Sequence, residues 1–136
     1  MKNIITDKEL FSLAKAAREK SYSPYSSISV GAALLCGSGK IYTGANIENA
    51  AFSPSVCAER VAFFTALHEG ERDFVAIAVA GGKNGDEERE RFTPCGVCRQ
   101  VMAEFCDRSF KIVLGENENI TFAELFPEGF DKDKIK

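Results

Sequence analysis

The clearest shortages in this 136-residue chain are in the features that bind nucleic acid or cross a membrane. The formal net charge is −3, and the sequence has no block of lysine and arginine of the kind that neutralises phosphates. It has no tryptophan. It also has no segment approaching the roughly 20 apolar residues that a transmembrane helix needs. We therefore expect no nucleic-acid partner and no insertion into a membrane.

The sequence also lacks the signs of a secreted protein. Residues 1–11 have no long apolar core of the kind that signal peptides carry. The five cysteines are an odd number, which does not pair off into a disulfide framework. We therefore expect a cytoplasmic protein, whose thiols are available for metal binding or catalysis. The length and the 45% hydrophobic content are typical of one globular domain over residues 1–136.

Hydrophobic periodicity predicts a chain that alternates helices with strands. We expect helices over residues 7–20, 57–69 and 94–107, with a short one from 121, and strands over 28–36, 40–45, 74–80 and 110–114. Thr6 with Glu9 and Thr121 with Glu124 have the capping-box spacing of helix starts, and the polar, glycine-containing residues 81–92 are expected to form a loop. The first two strands form a hairpin through Gly37-Ser38-Gly39, and Pro94 is expected in the first turn of its helix. This alternation indicates an α/β fold with a mixed sheet and helices on its faces.

Three cysteines are placed to share one metal ion. Cys95 and Cys98 have two residues between them at a predicted helix start, and Cys57 begins another predicted helix. A Cys-x-x-Cys pair alone also occurs in redox motifs and structural zinc sites. Three thiolates, however, leave a zinc ion one open position, as a catalytic site requires. The exposed N–H groups at the helix starts stabilise such thiolates.

Three other residues could complete a closed structural site, but each is poorly placed. Cys36 ends an apolar strand, Cys106 lies about two helical turns beyond Cys98, and His68 is at the far end of its helix from Cys57. We interpret the two cysteines as small buried residues and the histidine as a surface residue. A closed structural site stays as the alternative.

Arg60 is placed to compensate the charge of the metal site. Three thiolates on Zn²⁺ leave a net negative charge, which weakens the metal as a Lewis acid. We hypothesise that Arg60 hydrogen-bonds a ligand sulfur and so preserves the acidity of a bound water. The alternative is a solvated arginine on the helix surface.

The order of these motifs resembles a known family. Cys57-Ala58-Glu59-Arg60 followed by Pro94-Cys95-Gly96-Val97-Cys98 resembles the cytidine deaminase superfamily, whose ligand–x–Glu and Pro-Cys-x-x-Cys signature is known for zinc nucleobase deaminases. A cysteine as first ligand is similar to the short nucleoside enzymes rather than the polynucleotide editors. Further matches extend over nearly the whole chain: Asn46-Ile47-Glu48-Asn49-Ala50, Tyr22–Tyr25, Val30–Leu35, Cys98–Gln100 and Leu125–Pro127.

The resemblance implies a fold, a cofactor and a reaction. The fold is a three-layer α/β/α sandwich with a mixed sheet of about five strands, and each chain binds one Zn²⁺. Zinc activates a water that attacks C4 of the pyrimidine ring, while Glu59 moves the proton to N3 and helps ammonia depart. The products are uridine and 2′-deoxyuridine, formed from cytidine and 2′-deoxycytidine in pyrimidine salvage. The resemblance also implies a homotetramer with shared sites.

The same resemblance implies the substrate contacts. Asn46 and Glu48 would hold the ribose 3′-hydroxyl, because side chains two apart on an extended segment project to the same side. Taken alone, these two residues are ordinary polar residues of a loop. The backbone near Ala58 would contact the base, Phe130 would stack on the base in another subunit's site, and Gln100 would support the metal site from behind its ligands.

The chain departs from the family's common pattern at three places. Ile28 stands where phenylalanine is common, so an aliphatic contact replaces an aromatic one beside the sugar. Phe52 stands where tyrosine is common, so one hydroxyl near the substrate loop is missing. The segment 115–120 is short, and we expect the last strand of the sheet to be reduced or absent.

Three other functions are compatible with parts of this pattern. A relative could deaminate a modified cytosine nucleoside such as a nucleoside antibiotic, although the complete Asn46–Ala50 motif favours an ordinary sugar. A non-catalytic zinc-binding module would have no need of Glu59 beside an open position. A polynucleotide editor is disfavoured by the acidic balance of the chain.

Overall fold

The computed structural model describes residues 5–136, whose strands form one sheet in the order β2-β1-β3-β4-β5. Strands β3 and β4 are parallel, and the other neighbouring pairs are antiparallel. The strands are β1 (Ile28–Cys36), β2 (Ile41–Ala45), β3 (Phe74–Lys83), β4 (Lys111–Gly115) and β5 (Glu118–Thr121), and the helices are α1 (Asp7–Ala17), α2 (Ala58–His68), α3 (Gly96–Phe105) and α4 (Phe122–Leu125).

The helices cover both faces of the sheet, so the expected three-layer sandwich is confirmed. Helix α1 packs Leu10, Phe11 and Ala14 onto one face, where the strands present mainly alanines. Helices α2 and α3 cover the other face with larger side chains such as Phe63 and Met102. Successive residues of a strand point to opposite faces, which is why β1 can serve both layers at once.

Two glycines allow the helices to approach the sheet closely. A Cβ atom at Gly31 of β1 would lie 2.0 Å from the carbonyl oxygen of Ala14 in α1. A Cβ atom at Gly44 of β2 would lie 2.4 Å from the carbonyl oxygen of Ala58, the first residue of α2. Gly44 therefore sets how near the start of α2 comes to the sheet.

Several predicted boundaries are corrected. Helix α1 ends at Ala17, and residues Arg18–Lys20 continue it as a 3₁₀ turn. Helix α3 begins at Gly96 with Cys95 as its N-cap, so Pro94 precedes the helix rather than opening it. Strand β3 continues to Lys83 through a segment that its glycines and polarity had suggested to be a loop.

The last strand is present but short, and it completes a sheet of five strands as the resemblance implies. Four residues, Glu118–Thr121, pair antiparallel with β4 immediately after a tight connection. Thr121 then caps α4 through the predicted capping box with Glu124, and Thr6 caps α1 with Glu9 in the same way. Within residues 5–136, no helix combines the length and apolar character needed to cross a bilayer.

Candidate active site

The site is built on the starts of two helices that lie on the same face of the sheet. Cys57 is the N-cap of α2, Cys95 is the N-cap of α3, and Cys98 lies in the first turn of α3. Neither cap cysteine makes a side-chain capping bond, so its sulfur is free to point elsewhere. All three sulfur atoms lie within 4.8 Å of one another.

This donor set fits a zinc ion. Ligands placed tetrahedrally at Zn–S distances of about 2.3 Å are about 3.8 Å apart, and the Sγ atoms of Cys57 and Cys95 are 3.5 Å apart. A hydrogen bond with the Cys98 thiol, supported by one from Arg60, holds the pKa of Cys57 well below its usual range. Of the three cysteines, Cys98 is buried and Cys95 is exposed.

The remaining cysteines and the histidine lie away from this group. The metal-binding group found within residues 5–136 contains Cys57, Cys95 and Cys98 but not Cys36, Cys106 or His68. Burial raises the pKa of Cys36 to about 12, with a further contribution from nearby carboxylates. Burial also raises the pKa of Cys106. Both thiols are therefore inert at neutral pH.

Glu59 is a buried carboxyl in the first turn of α2. Its side chain is 3% exposed, and its Oε1 atom has no hydrogen-bond partner within the described part of the chain. Burial, and secondarily the charge of Cys57, raises the pKa of Glu59 to about 7. A carboxyl with such a pKa can both accept and release a proton near neutral pH.

Arg60 makes the contact that the sequence suggested. Its Nη2 atom lies 3.4 Å from the Sγ atom of Cys57, the distance of a charge-assisted N–H···S hydrogen bond. The guanidinium charge is one of the causes that lower the pKa of Cys57. Arg60 therefore stabilises the thiolate form of Cys57 directly, rather than lying as a solvated residue on the helix surface.

A cavity of about 240 Å³ extends from these residues to the loop that follows β2. It is lined by Cys57, Cys95 and Glu59 and also by Asn46 and Glu48. The cavity thus brings together the predicted metal site and the predicted sugar-binding residues, which lie on separate elements.

The hydrogen bonds of Asn46 define what this amide can offer a ligand. Its Oδ1 atom accepts from the Ser21 hydroxyl at 2.6 Å and the Val30 amide at 2.8 Å, while Nδ2 donates to the Ile28 carbonyl at 2.9 Å. Both lone pairs of Oδ1 are therefore used. Only the second N–H of Nδ2 is left, so Asn46 can donate to a ligand but cannot accept.

Glu48 has the complementary character. Its Oε1 atom accepts from the backbone amides of Tyr25 and Ser26 at 2.9 and 3.1 Å, and Oε2 accepts from the Ser26 hydroxyl. The hydrogen bond from the Ser26 side chain is the main cause that lowers the pKa of Glu48. Glu48 is thus an ionised acceptor beside the donor Asn46, as recognition of a hydroxyl requires.

Four other predicted substrate residues lie outside the lining of this cavity. Ala58 is fully buried with its carbonyl facing β2, and Ile28 contributes its backbone carbonyl to Asn46. Phe52 is 71% exposed with a positive φ of 63°, and Phe130 is 57% exposed. Both phenylalanine side chains are therefore largely exposed in the single chain, and neither lines the cavity.

Gln100 has a different contact from the one expected beside the metal ligands. Its Nε2 atom donates to the backbone carbonyl of Phe130 at 2.8 Å, which tethers the C-terminal segment to α3. The neighbouring Arg99 donates to the carbonyls of Pro94 at 2.8 Å and Leu125 at 2.7 Å. Arg99 thus fixes the loop before Cys95, a role that the sequence reasoning did not assign.

Phe92 and Thr93 also line the cavity and were missed. The signal was available, because both residues directly precede the Pro94-Cys95 motif and a chain leading into a ligand must pass near the site. Their contribution depends on how the segment folds against β3, which spacing along the sequence does not reveal.

Comparison with known proteins agrees with this geometry. Residues 4–114 match the family described as "Cytidine and deoxycytidylate deaminase zinc-binding region". The chain is 47% identical over 131 residues to a cytidine deaminase from Sporosarcina psychrophila, covering 93% of each chain. A cytidine deaminase from Halalkalibacterium halodurans is 47% identical over 123 residues, covering 88% of this chain and 89% of the relative.

Solved structures show the same relationship. The crystal structure of cytidine deaminase from Burkholderia pseudomallei is similar with a TM-score of 0.83 at 40% identity, covering 93% of this chain and 100% of that chain. The cytidine deaminase from Mycobacterium tuberculosis is similar with a TM-score of 0.82 at 29% identity, covering 93% and 98%. This chain therefore belongs to the cytidine deaminase family of enzymes.

Proposed function

We propose that this protein hydrolyses cytidine and 2′-deoxycytidine to uridine and 2′-deoxyuridine, with release of ammonia, as a step of pyrimidine salvage. The observation that carries the proposal is the position of Glu59, a buried carboxyl with a free oxygen, in the same cavity as Cys57 and Cys95, two of the three clustered thiols. A structural zinc site has no use for such a carboxyl, since burying it without a partner costs free energy.

Cys57, Cys95 and Cys98 would hold one Zn²⁺ per chain. When bound there, zinc supplies Lewis-acid activation of a water molecule for attack on C4 of the pyrimidine ring. Cys57 and Cys95 line the cavity, so a substrate in the cavity would lie beside the residues that hold the ion.

Glu59 would move the protons of the reaction. As the water oxygen bonds to C4, the C4=N3 double bond opens; the free Oε1 takes the proton of the water and passes it to N3 of the ring. The same carboxyl then carries the proton of the C4 hydroxyl to the exocyclic nitrogen, the C4–N bond breaks as the C4=O bond forms, and ammonia leaves. Among the residues that line the cavity in the described part of the chain, the other carboxyl is Glu48.

Asn46 and Glu48 would orient the sugar. The remaining N–H of Asn46 donates to the 3′-hydroxyl oxygen, and the carboxylate of Glu48 accepts the hydroxyl proton. Because Asn46 also bonds the backbone of Ile28 and Val30, the amide is held in place before the ligand arrives. This preorganisation reduces the entropy lost on binding.

Arg60 would keep the metal site reactive by withdrawing charge from Cys57. Replacement Arg60→Gln removes the cation but keeps a hydrogen-bond donor, and we expect kcat to fall by roughly 10- to 100-fold, as for other residues that support metal ligands. Turnover and zinc content of the purified variant are the measurements. If both equal the wild-type values, this role of Arg60 is refuted.

We further propose that the active enzyme is a cytoplasmic homotetramer whose sites are shared between subunits. The support is the exposure of Phe52 and Phe130, together with a cavity smaller than the roughly 300–1,000 Å³ of complete ligand pockets in one chain. All five cysteines are free, which fits a reducing compartment. Light scattering coupled to gel filtration measures the assembly, and a monomer that retains full activity would refute site sharing.

A substrate panel tests the activity itself. The zinc-loaded protein is incubated separately with cytidine, 2′-deoxycytidine, dCMP, cytosine and adenosine, and ammonia release is followed together with the ultraviolet change. We expect turnover of the two cytosine nucleosides only. Zinc-loaded protein that acts on none of them would refute the proposal and favour a modified nucleoside or a structural role.

A further inference from the structure

We propose that Phe92 is a further substrate-binding residue, whose ring forms the aromatic wall for the pyrimidine base, and that the ring can occupy this place only because residue 81 is glycine. This inference rests on the proposed function, since it concerns how the same site holds its substrate.

Phe92 is the one aromatic residue that lines the cavity within the described part of the chain. It is half-buried and lies three residues before Cys95. The same cavity is lined by Glu59 and by the sugar-binding pair Asn46 and Glu48. A nucleoside whose C4 is near the cysteines and whose 3′-hydroxyl is near Asn46 fills this cavity, so we expect its base to contact the ring of Phe92.

The ring of Phe92 rests directly on the backbone of β3. A Cβ atom at Gly81 would lie 2.6 Å from Cδ1, 2.7 Å from Cγ and 2.8 Å from Cε1 of Phe92, all well inside van der Waals contact. Gly81 is the register partner of Val30 in β1, and paired residues point to the same face of a sheet. The phenyl ring thus fills the volume that a side chain at position 81 would take.

The segment that carries Phe92 is anchored at several points. The amide of Arg89 donates to the carbonyl of Gly81 at 2.8 Å, which folds the segment back onto β3. The guanidinium of Arg18 donates at 3.0 Å to each of the carbonyls of Ser29, Lys83 and Asp86. These bonds hold the start of the segment against β1 and β3, so the aromatic wall is formed before any ligand binds.

An aromatic wall suits this cavity for a chemical reason. Thiol, charged and other polar side chains make up most of the lining, and Val30 and Val56 are its aliphatic residues. A flat pyrimidine base gains free energy from a flat apolar surface, and it gains more from an aromatic ring than from an aliphatic group of the same area. Because most of this contact is already made in the bound substrate, it acts mainly on KM rather than on kcat.

The test is a double-mutant cycle on Phe92 and Gly81. Phe92→Val removes the ring, and Gly81→Ala displaces it, so each is expected to raise KM for cytidine and Kd for uridine roughly tenfold, with kcat nearly unchanged. The double variant should be no worse than Phe92→Val, because the added methyl then enters vacated space. Calorimetric titration with uridine provides a readout that does not depend on turnover.

Two further variants control the experiment. Gly115→Ala is the matched glycine change, since its Cβ would lie 3.5 Å from the Cβ of Glu118, an ordinary contact outside the site. It should leave KM and Kd at the wild-type values. Phe92→Tyr keeps the aromatic face and should restore KM to near the wild-type value. If Phe92→Val does not fold, Phe92→Leu replaces it, because leucine retains the apolar volume without the flat face.

The outcomes separate the inference from the proposed function. Wild-type protein that neither deaminates cytidine nor binds uridine overturns the proposed function. Active wild-type protein with unchanged KM and Kd in Phe92→Val overturns the inference alone. The inference is also overturned if the two substitutions have additive effects, or if Phe92→Val loses zinc and kcat while KM stays constant, since either result indicates a structural role.

Discussion

The two faces of the sheet carry different kinds of side chain and have different roles. On the α1 face, Leu10 and Phe11 pack onto a floor of small residues that includes Ala33, Ala76 and Ala78, and the whole cluster is apolar. On the opposite face, large residues fill the centre, while the starts of α2 and α3 hold buried polar groups. The first face serves packing alone, and the second combines a hydrophobic core with the reactive groups at the starts of α2 and α3.

This difference shows where the protein tolerates unfavourable groups. A buried carboxyl and clustered thiols lower the stability of the folded state. A sheet that is packed on both faces remains stable with such groups at one edge. Both helix starts also provide N–H groups that favour negative charge. Substitutions on the α1 face should therefore change stability alone, whereas those at the starts of α2 and α3 should change activity or zinc binding.

The largest expected effect separates the two ends of one helix. Cys95→Ala removes a metal ligand at the start of α3, so zinc binding and deamination should both be lost. Cys106→Ala, at the other end of α3, should keep one zinc per chain. Metal analysis of the purified variants is the measurement. Loss of zinc in Cys106→Ala would contradict the three-cysteine site.

Glu59→Gln should show that a reactive group at the start of α2 can be required for activity without contributing to the stability of the fold. The amide cannot carry the proton, so kcat is expected to fall by roughly 10²- to 10⁴-fold. Zinc content should be unchanged, and the free energy of unfolding should not decrease, because a buried carboxyl without a partner is removed. Steady-state kinetics and urea unfolding provide the two values. Retained turnover would refute the proton-transfer role.

The smallest expected effect compares two glycines, each of which allows a helix to approach the sheet closely, on opposite faces of that sheet. Gly31→Ala and Gly44→Ala each place a methyl group against a helix backbone, and each should cost roughly 1–3 kcal/mol of unfolding free energy. Only Gly44→Ala should also lower kcat, because the displaced carbonyl of Ala58 lies between Cys57 and Glu59.

Urea unfolding and kinetics on the same preparations measure both quantities. A loss of kcat in Gly31→Ala equal to that in Gly44→Ala would show that the two faces are not functionally separate.

Local signals in the sequence were sufficient for most of the framework. Capping boxes at Thr6 and Thr121 and apolar periodicity located the helices, and alternation of helices and strands indicated the layered fold. The spacing of Cys95 and Cys98 predicted two ligands, because both lie within one turn of helix. These features depend on neighbours in sequence, and short-range geometry determines them.

Other features could not be predicted because their cause is distant in sequence. The polar, glycine-containing end of β3 suggested a loop, yet pairing of residues 81–83 with the start of β1 makes it a strand. Strand β5 is short, but pairing with β4 satisfies its backbone. In both cases hydrogen bonds to a neighbouring strand outweigh weak local propensity.

The sequence by itself determined the chemistry of this protein: three thiols, a carboxyl two residues after the first of them, and an arginine next to that carboxyl. The tertiary structure alone decided how these groups meet. Packing of α2 and α3 on one face brings the Sγ atoms of Cys57 and Cys95 to 3.5 Å from each other. Hydrogen bonds to the backbone leave Asn46 able only to donate to a ligand. The absence of a side chain at Gly81 leaves room for the ring of Phe92. Residue identity sets reactivity, but distances between elements far apart in sequence arise only when the sheet and its helices pack.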